Sequence, residues 1–352
     1  MAERKERRAP TRADVARLAG TSLATVSYVI NGGPKKVSAE TGDKVRRAIS
    51  ELGYRPDPIA RQLRGSESSV LGLLVPNLRG PFFVDLAEEI ERQVRSRGKL
   101  LLIASTNFDP ETEEELVADF LSRRTAAILS IGPTPRLLPE SAEHGTFHGA
   151  LTVMPGGRME QAVSIGIDQR EAARLAVQHL VDHGCRSVAA IFGPEGHTVF
   201  RPRMRGWRDV TGLDDTQSQQ LSRWADYSFG GGYRAAVELV RDGAVKPDGL
   251  FVSNDTQAVG ALAALSDLRV QVPEDIAVVS IDAARISGFT TPALTTVEQP
   301  TGLLAYAALD VVEGLTPAGP RTVTVPHRLV IRDSCGGDGG IEPSRLAKYH
   351  KS

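Results

Sequence analysis

The sequence has little of what defines several classes of protein. Its 352 residues include two cysteines, Cys185 and Cys335, which are too few for a disulfide framework and lack metal-ligand spacing. Aromatic residues make up only 5% of the chain. No apolar run approaches the roughly 18 residues of a membrane-spanning helix, and no apolar signal core follows the charged N-terminus. We therefore expect a soluble, cytoplasmic protein with no membrane partner.

Motifs for enzymatic chemistry are also missing. The chain has no GxxxxGK[ST] phosphate loop and no GxGxxG fingerprint after its first long apolar run. Two histidine pairs have the i,i+4 spacing that can bind zinc, but neither has a third ligand nearby, and we interpret both as surface residues: His144/His148 and His179/His183. The sequence predicts no cofactor, no metal and no catalytic residue.

Charge is unevenly distributed along the chain, although the net charge is only −1. Residues 1–65 contain fourteen Lys or Arg against seven Asp or Glu, and the remainder contains 28 basic against 36 acidic residues. A basic head on an acidic body indicates that only the head meets a polyanion. The length predicts two or three domains, and a hydrophobic fraction of 41% is enough to give them cores.

Residues 11–31, TRADVARLAGTSLATVSYVIN, predict two short helices separated by a turn. Thr11 is a candidate N-cap with Asp14 as its capping-box partner, and Gly20 fits a helix end. The second helix has an inner face of Val26, Val29 and Ile30 and an outer face of mostly small or polar residues. This pattern is typical of a helix-turn-helix DNA-binding motif, and a plain pair of packed helices is the alternative.

A third helix and a short fourth one are predicted next. Ser38 caps the third, which runs to about Leu52 before Gly53 ends it, and Tyr54 is expected to close the small core. The segment 58–64 could form a helix of about two turns, which is too short to be stable alone in water. It is either a helix that needs a partner surface or a plain linker.

From residue 70 onward, apolar runs alternate with helical segments. The runs at 70–75, 101–105, 126–131, 150–153, 187–192, 249–253 and 276–281 predict strands that are covered on both faces. Helices are predicted between them at 82–97, 110–122, 169–183, 231–242 and 256–268. This alternation predicts an α/β body with parallel sheets that follows an all-α head.

The order of the motifs resembles the lactose-repressor (LacI/GalR) family of bacterial transcription regulators. The head contains DVARLAG, ATVSYVINGG, AISELGYRPD and ARQLRGSES. The body contains GLLVPNLRGPFF, HLVDHGCRSVAAIFGP, RMRGW, FVSNDTQAVGALAAL, VPEDIAVVSID and TPALTTVEQP. The resemblance covers roughly residues 11–332.

The resemblance implies five segments. They are a disordered basic arm (1–10), a helix-turn-helix domain (11–56), a hinge helix with linker (57–69), a periplasmic-binding-protein-like effector and dimerisation domain (70–332), and a disordered tail (333–352). The body would consist of two similar subdomains with a ligand in the cleft between them. The partners implied are a second copy of the chain, double-stranded operator DNA and a small-molecule effector.

DNA-binding residues follow from the same resemblance. Leu23, Ala24 and Tyr28 would face the floor of the major groove. Contacts to phosphate or sugar are expected from Thr25, Ser27, Asn31, Ser38 and Thr41. In the family, the hinge helix pairs with its dimer mate in the minor groove and inserts a leucine, which Leu63 matches. The chain departs from the family at Tyr28, where arginine is common, so apolar contacts with thymine methyl groups are expected instead of guanine readout.

Effector contacts are implied at six positions of the body. They are Phe82, Arg203, Tyr227, Asn254, Asp282 and Gln299. Carboxylate, amide, guanidinium and aromatic groups together suit a polyhydroxylated ring, so a sugar is the leading effector. For Asp282 and Asn254, the alternatives are helix capping and a turn.

The chain departs from sugar-responsive members of the family near the cleft. It has Met154, Pro155 and Gly156 where many members have an Asp-Arg pair, and Gln169 replaces a usual asparagine. We predict a dimeric repressor that binds a near-palindromic operator under the control of a small ligand. The alternatives are a regulator without effector response and a sugar-modifying enzyme with a DNA-binding head.

Overall fold

The computed structural model of the chain describes residues 10–31, 36–54, 68–132, 151–155, 162–195, 200–243, 245–315 and 321–336. It divides into two compact units, Met1–Glu67 and Ser68–Ser352, and each is considered by itself. Within the described ranges, no helix is long and apolar enough to cross a membrane. The basic arm up to residue 9, the hinge segment with Leu63 and the tail beyond residue 336 lie outside these ranges.

The described part of unit 1 contains three helices, α1 (Arg12–Leu18), α2 (Leu23–Asn31) and α3 (Ala39–Leu52). The predicted capping box is confirmed, because the Thr11 side chain accepts from the backbone of Asp14 and the Asp14 carboxylate accepts from the Thr11 amide. Ser38 caps α3 as predicted. Gly20 and Gly53 end α1 and α3 with φ of +63° and +61°, a conformation that costs glycine nothing.

The core of unit 1 is small but closed. Val15, Val26 and Val45, one from each helix, are fully buried, and Ala48 and Tyr54 pack with them. Tyr54 therefore closes the core from the C-terminal side, as the sequence predicts. One valine from each helix makes the three helices mutually dependent for their stability.

Unit 2 contains two six-stranded sheets, and each sheet with its helices forms a subdomain. Sheet 1, with strand order β11-β5-β4-β3-β1-β2, comprises β1 (Val70–Val75), β2 (Leu100–Ser105), β3 (Ala127–Ile131), β4 (Leu151–Pro155), β5 (Val163–Gly166) and β11 (Arg321–Thr324). Its helices are α4 (Pro81–Ser96), α5 (Pro110–Ser122) and α11 (Thr301–Val312). We call this half the N-subdomain.

The second half, the C-subdomain, contains sheet 2, whose strand order is β12-β10-β9-β8-β6-β7. Its strands are β6 (Val188–Phe192), β7 (Ser222–Trp224), β8 (Gly249–Val252), β9 (Ala277–Asp282), β10 (Thr295–Glu298) and β12 (Arg328–Val330). Its helices are α6 (Gln169–Asp182), α7 (Phe200–Thr211), α8 (Asp215–Gln220), α9 (Phe229–Arg241) and α10 (Asp255–Asp267).

The α/β prediction is confirmed, with two exceptions to parallel pairing. Strand β4 runs antiparallel to β3 and β5, and β12 runs antiparallel to β10. Every other pair described is parallel. The seven predicted strands and five predicted helices all occur, with ends shifted by at most two residues.

The chain passes between the subdomains three times. The crossovers are 167–168, between β5 and α6, 299–300, between β10 and α11, and 325–327, between β11 and β12. The amide of Val325, the first residue of the third crossover, donates to the carbonyl of Gly166 at 2.8 Å, so this crossover is tied by backbone to the end of β5, just before the first crossover.

Helices α6 and α7 approach each other at backbone distance. A Cβ atom at Gly206 of α7 would lie 2.3 Å from the carbonyl oxygen of Arg170 on α6, which is too close for any other residue. Only glycine permits this approach. It fixes the two helices that begin beside the cleft.

The start of the predicted tail requires a correction. Residues 333–335 form a short 3₁₀ helix in which Ser334 and Cys335 are buried. The Ser334 hydroxyl donates to the carbonyl of Val278 at 2.6 Å and accepts from the amide of Thr295 at 2.9 Å. These hydrogen bonds attach the segment to sheet 2, so the folded body continues past residue 332.

Candidate functional site

Helix α2 presents the outer face that the sequence predicts. The Leu23 side chain is 53% exposed and Ala24 is exposed, whereas Val26 on the opposite face is completely buried. Ser27 and Tyr28 are half-buried. An exposed leucine and alanine at the start of a short helix leave the helix face accessible to a groove of DNA.

Three of the five predicted phosphate-contacting residues, Thr25, Ser38 and Thr41, lie at helix N-termini, whereas Ser27 lies in the middle of α2. Ser22 caps α2, accepting from the Thr25 amide at 3.1 Å, and Ser38 caps α3, accepting from the Thr41 amide at 3.3 Å. The hydroxyls of Thr25 and Thr41 bond to the same two serines. Helix N-termini attract anions, so both are suited to phosphate. Asn31 is the last residue of α2, and its side chain lies outside what the structure describes.

In unit 2, Asp282 lies at the end of β9 and is the centre of a buried polar cluster. It is 2% exposed and has a φ of 131°, which only a strained backbone gives a residue other than glycine. Its carboxylate accepts from Gln299 Nε2 at 2.7 Å, from the Tyr227 hydroxyl at 3.2 Å and from the Asp255 amide at 3.4 Å. Strand β9 thus places a carboxylate at the carboxyl end of sheet 2.

Arg203 joins this cluster through two amide side chains. Its Nε donates to Gln169 Oε1 at 2.8 Å, and its guanidinium also donates to the carbonyl of Ser253. Gln169 Nε2 donates to Gln299 Oε1 at 3.2 Å, which links Arg203 to Asp282. The structure therefore brings together Arg203, Asp282 and Gln299 and adds Gln169.

Aromatic rings from the two subdomains meet beside the polar cluster. Tyr227 of the C-subdomain stacks on Phe83 of the N-subdomain, and Phe108 lies 6.0 Å from Tyr227 between ring centroids. Phe200 lies 6.2 Å from Tyr227 on the other side. Asn107 and Phe108 both have positive φ, at 53° and 62°, and this strained turn directs the Phe108 ring into the cluster.

Asn254, another predicted effector contact, uses its side-chain oxygen and nitrogen for hydrogen bonds to a neighbouring residue of the chain. Its side-chain oxygen accepts from the Gln257 amide at 2.8 Å, which makes it the N-cap of α10, and its Nδ2 donates to Gln257 Oε1. It is completely buried. The capping role accounts for its chemistry, and its ligand contact stays a prediction.

A cavity of about 300 Å³ opens between α4 and the end of β9. Three predicted effector residues, Phe82, Asp282 and Gln299, line it. Arg285 closes one side, donating from its backbone and Nε to the Asp85 carboxylate at 2.9 and 2.6 Å. A ligand in this cavity would touch both subdomains.

Burial shifts the ionisation of the central groups. Desolvation raises the pKa of Asp282, and the nearby Arg203 charge partly offsets this effect. Burial and then the Asp282 charge raise the pKa of Asp255, whose carboxylate accepts from Ser280, Thr296 and the Ala284 amide. Perturbed carboxylates at a cleft are typical of a binding site.

The sequence missed several residues of this site. Gln169 was noticed only as a departure from asparagine, whereas Phe108, Asp255 and Arg285 gave no signal. The expectation that His179 is a surface residue is wrong, because His179 is buried. Among the described residues, no three His, Cys, Asp or Glu side chains could hold a metal ion together.

Comparison with known proteins identifies the family. Residues 11–57 match the model of the bacterial regulatory proteins of the lacI family, and residues 177–335 match that of the periplasmic binding protein-like domain. The ribose operon repressor of Escherichia coli (strain K12) is 33% identical over 307 residues, which cover 86% of this chain and 92% of that repressor. The chain belongs to the LacI family. The PurR repressor of Edwardsiella ictaluri (strain 93-146) is 31% identical over 330 residues, 91% of this chain and 95% of that protein.

Solved structures of transcription regulators have the same fold. The lac repressor dimer bound to operator and the anti-inducer ONPF superposes with a TM-score of 0.77 at 26% identity, over 93% of this chain and 99% of that one. The CelR–cellobiose complex superposes with a TM-score of 0.61 at 27% identity, over 92% and 99%. This LacI-family protein is a DNA-binding transcription repressor with a periplasmic-binding-protein-like domain.

Proposed function

We propose that this repressor binds a near-palindromic operator as a homodimer and that a small ligand in the inter-subdomain cleft controls the binding. The observation that supports this most strongly is the cluster of Arg203, Asp282, Gln299 and Tyr227 beside a cavity shared by both subdomains. A ligand that touches two subdomains can change their relative position, because it binds one arrangement better than the other.

Readout of the operator is assigned to α2. Leu23 and Ala24 are exposed there, and Tyr28 lies on the same helix. The capped N-termini of α2 and α3 would hold phosphates, and the predicted leucine wedge at Leu63 would bend the centre of the site. Two identical readers require two half-sites that are related by a two-fold axis.

The proposed effector is a sugar. Asp282 and Gln299 supply acceptors and a donor, Arg203 supplies donors, and the Tyr227 ring supplies a flat apolar wall, as a hydroxylated ring needs. The names of two relatives point the same way, since one is a ribose operon repressor and another was solved with cellobiose.

Genome-wide footprinting of the bound protein tests DNA binding. We expect discrete sites with two-fold symmetric sequences, and neighbouring genes would suggest the effector. Leu63→Ala should weaken binding at these sites, and the bound DNA should be less bent. Binding that is spread evenly over the genome would refute the operator proposal.

Thermal denaturation with D-ribose, cellobiose or adenosine tests the cleft. A ligand at about 100 times its Kd should stabilise the protein by about 2.7 kcal/mol. Arg203→Lys should abolish that shift, and Arg201→Lys, an exposed residue of the same helix, should retain it. Full ligand stabilisation in the Arg203 variant would exclude this arginine as a contact.

One observation favours a second candidate, a repressor without effector response. Met154 on β4 is completely buried where many sugar-responsive members have a carboxylate. Under this alternative, no tested ligand shifts the melting temperature, and operator affinity does not change with any of them.

A further inference from the structure

Gln169 and Gln299 lie where the chain crosses between the subdomains. Gln169 is the first residue of α6, directly after the crossover 167–168, and Gln299 belongs to the crossover 299–300. They are 2% and 3% exposed, and their side chains bond to each other at 3.2 Å. The link therefore joins two crossovers by side chains, in addition to the backbone bond between Val325 and Gly166.

The link ends on two charged groups. One of them is a hydrogen-bond donor and the other is an acceptor. Gln169 Oε1 accepts from Arg203 at 2.8 Å, and Gln299 Nε2 donates to Asp282 at 2.7 Å. A guanidinium can only donate and an ionised carboxylate can only accept. The direction of every hydrogen bond from Arg203 through Gln169 and Gln299 to Asp282 is therefore fixed, and neither amide can turn over without breaking two bonds.

We propose that Gln169 and Gln299 form a relay of fixed polarity that couples the effector-contacting groups Arg203 and Asp282 to the crossovers. Gln169 is a positioning residue in this relay. Its carbonyl oxygen orients Arg203, and its amide nitrogen holds the second crossover against the first. All four side chains are more than nine-tenths buried, so water does not replace a lost partner readily.

The relay gives the cleft a route to the crossovers between the subdomains, a step that rests on the proposed function. A ligand that accepts from Arg203 Nε or donates to Asp282 Oδ1 competes with Gln169 or Gln299 for those atoms. Occupying either end removes the bond that anchors the adjacent amide, which weakens the side-chain link between the crossovers. Cleft occupancy and crossover geometry then depend on each other.

The length of the Gln169 side chain is essential to the relay. It extends from the N-terminus of α6 to Arg203 on one side and to Gln299 on the other. Asparagine, which is usual here in the family, is shorter by one methylene. An asparagine at this position would reach one partner but not both.

Hydrogen exchange of the full-length protein, without DNA or ligand, tests the relay. The segments to follow are 165–172, 296–302 and 323–328, which contain the protected amides of Gln299 and Val325. Gln169→Asn and Gln169→Glu should raise exchange there by about tenfold, the equivalent of one hydrogen bond, and leave α9 and α10 unchanged. The control is Gln178→Glu, an exposed position on the same helix with the same charge change.

A double variant tests the polarity itself. With Gln169→Glu, the new carboxylate still accepts from Arg203 but cannot donate to Gln299. The Gln299 amide must turn, and its oxygen then faces Asp282. Asp282→Asn supplies a donor at that point, so Gln169→Glu/Asp282→Asn should return exchange to near the wild-type rate although each single variant raises it.

The outcomes separate the two proposals. Any one of three results would overturn the relay. They are additive effects in the double variant, an unchanged exchange rate in both Gln169→Glu and Gln169→Asn, and a uniform rise in exchange over all of unit 2. None of these measurements involves operator or effector. Footprinting and ligand shifts can therefore fail while the relay stands, and the relay can fail while they succeed.

Discussion

The ring of Phe83 stacks on the ring of Tyr227, with 5.1 Å between their centroids and 24° between their planes. Phe83 is on α4 of the N-subdomain, and Tyr227 precedes α9 of the C-subdomain. The same tyrosine donates its hydroxyl to Asp282. One side chain thus connects the aromatic contact between the subdomains with the polar cluster of the cleft.

This contact should have a measurable coupling energy. Stacked aromatic pairs contribute about 0.5–1.5 kcal/mol beyond the area that they bury. A double-mutant cycle of Phe83→Leu and Tyr227→Leu, measured by urea denaturation, should give a coupling in that range. Phe82→Leu with Tyr227→Leu is the control, because Phe82 packs on Phe83 instead. A coupling of zero for the first pair would show that the rings touch without stabilising the closed cleft.

A second contact between the subdomains is the pairing of Arg285 with Asp85 and Glu88, and a single substitution can remove it. The Arg285 guanidinium pairs with Asp85 and Glu88 at 2.6 Å each, but its side chain is 58% exposed. Arg285→Ala should therefore cost no more than about 1 kcal/mol of unfolding free energy, and the loss should shrink at high salt.

Asp85→Ala should cost more, about 1–3 kcal/mol, because the Asp85 side chain is 13% exposed and accepts the Arg285 backbone amide as well. Urea denaturation at low and high salt measures both variants. Arg174→Ala, which removes the exposed pair with Glu171 inside α6, is the control. Equal losses for Asp85→Ala and Arg174→Ala would contradict the assignment.

Tyr28 should determine base preference at one step of each half-site. Tyr28→Arg supplies the bidentate donor that guanine requires, and a good pair of this type discriminates by about 1–3 kcal/mol. Selection from random DNA should yield sites with a new guanine at one symmetric position. Tyr28→Phe keeps the apolar ring and should select the wild-type sequence. Identical sites for the arginine variant would place Tyr28 outside the base contacts.

Glu113 should make stability depend on pH. It is buried on α5 and accepts from the Ser130 hydroxyl at 3.0 Å. Burial raises its pKa from 4.5 to about 7, and the hydrogen bond offsets part of the rise. Because the folded pKa exceeds the unfolded one, the stabilisation is fully present below about pH 4.5 and is lost as the pH rises through about 7.

Glu113→Gln removes this dependence. The variant should match the wild type near pH 4.5 and be more stable by about 2–3 kcal/mol above pH 8, as measured by denaturation across the range. Glu115→Gln, an exposed residue on the same helix, should follow the wild type throughout. A constant difference between Glu113→Gln and the wild type would mean that the carboxyl titrates normally.

The sequence predicts the elements whose residues are uniformly apolar or regularly amphipathic. It misses β5, β7, β10, β11 and β12, since VSIG, SRW, TTVE, RTVT and RLV are only three or four residues long and depend on their neighbours in the sheet. Helix α11, TGLLAYAALDVV, is apolar on most of its surface, so it shows no helical period. Helix α7 contains proline and glycine near its start and middle, which obscure its pattern.

The candidate site was predictable residue by residue but not as a network. Family motifs indicate Arg203, Asp282 and Gln299, yet Gln169 and Gln299 are 130 positions apart and meet only through the tertiary fold. Asn254 shows that the sequence also does not decide between two roles for one residue. The sequence offered a turn as the alternative to a ligand contact, and the local geometry instead makes Asn254 the cap of a helix.

The close approach at Gly206 has a consequence for how the ligand preference of this repressor can evolve. It holds α6 and α7, and with them Gln169 and Arg203, in one arrangement that any larger side chain at position 206 would destroy. Phe82 and Phe108 belong to the N-subdomain, so substitutions at these two positions can change the opposite wall without disturbing this helix pair.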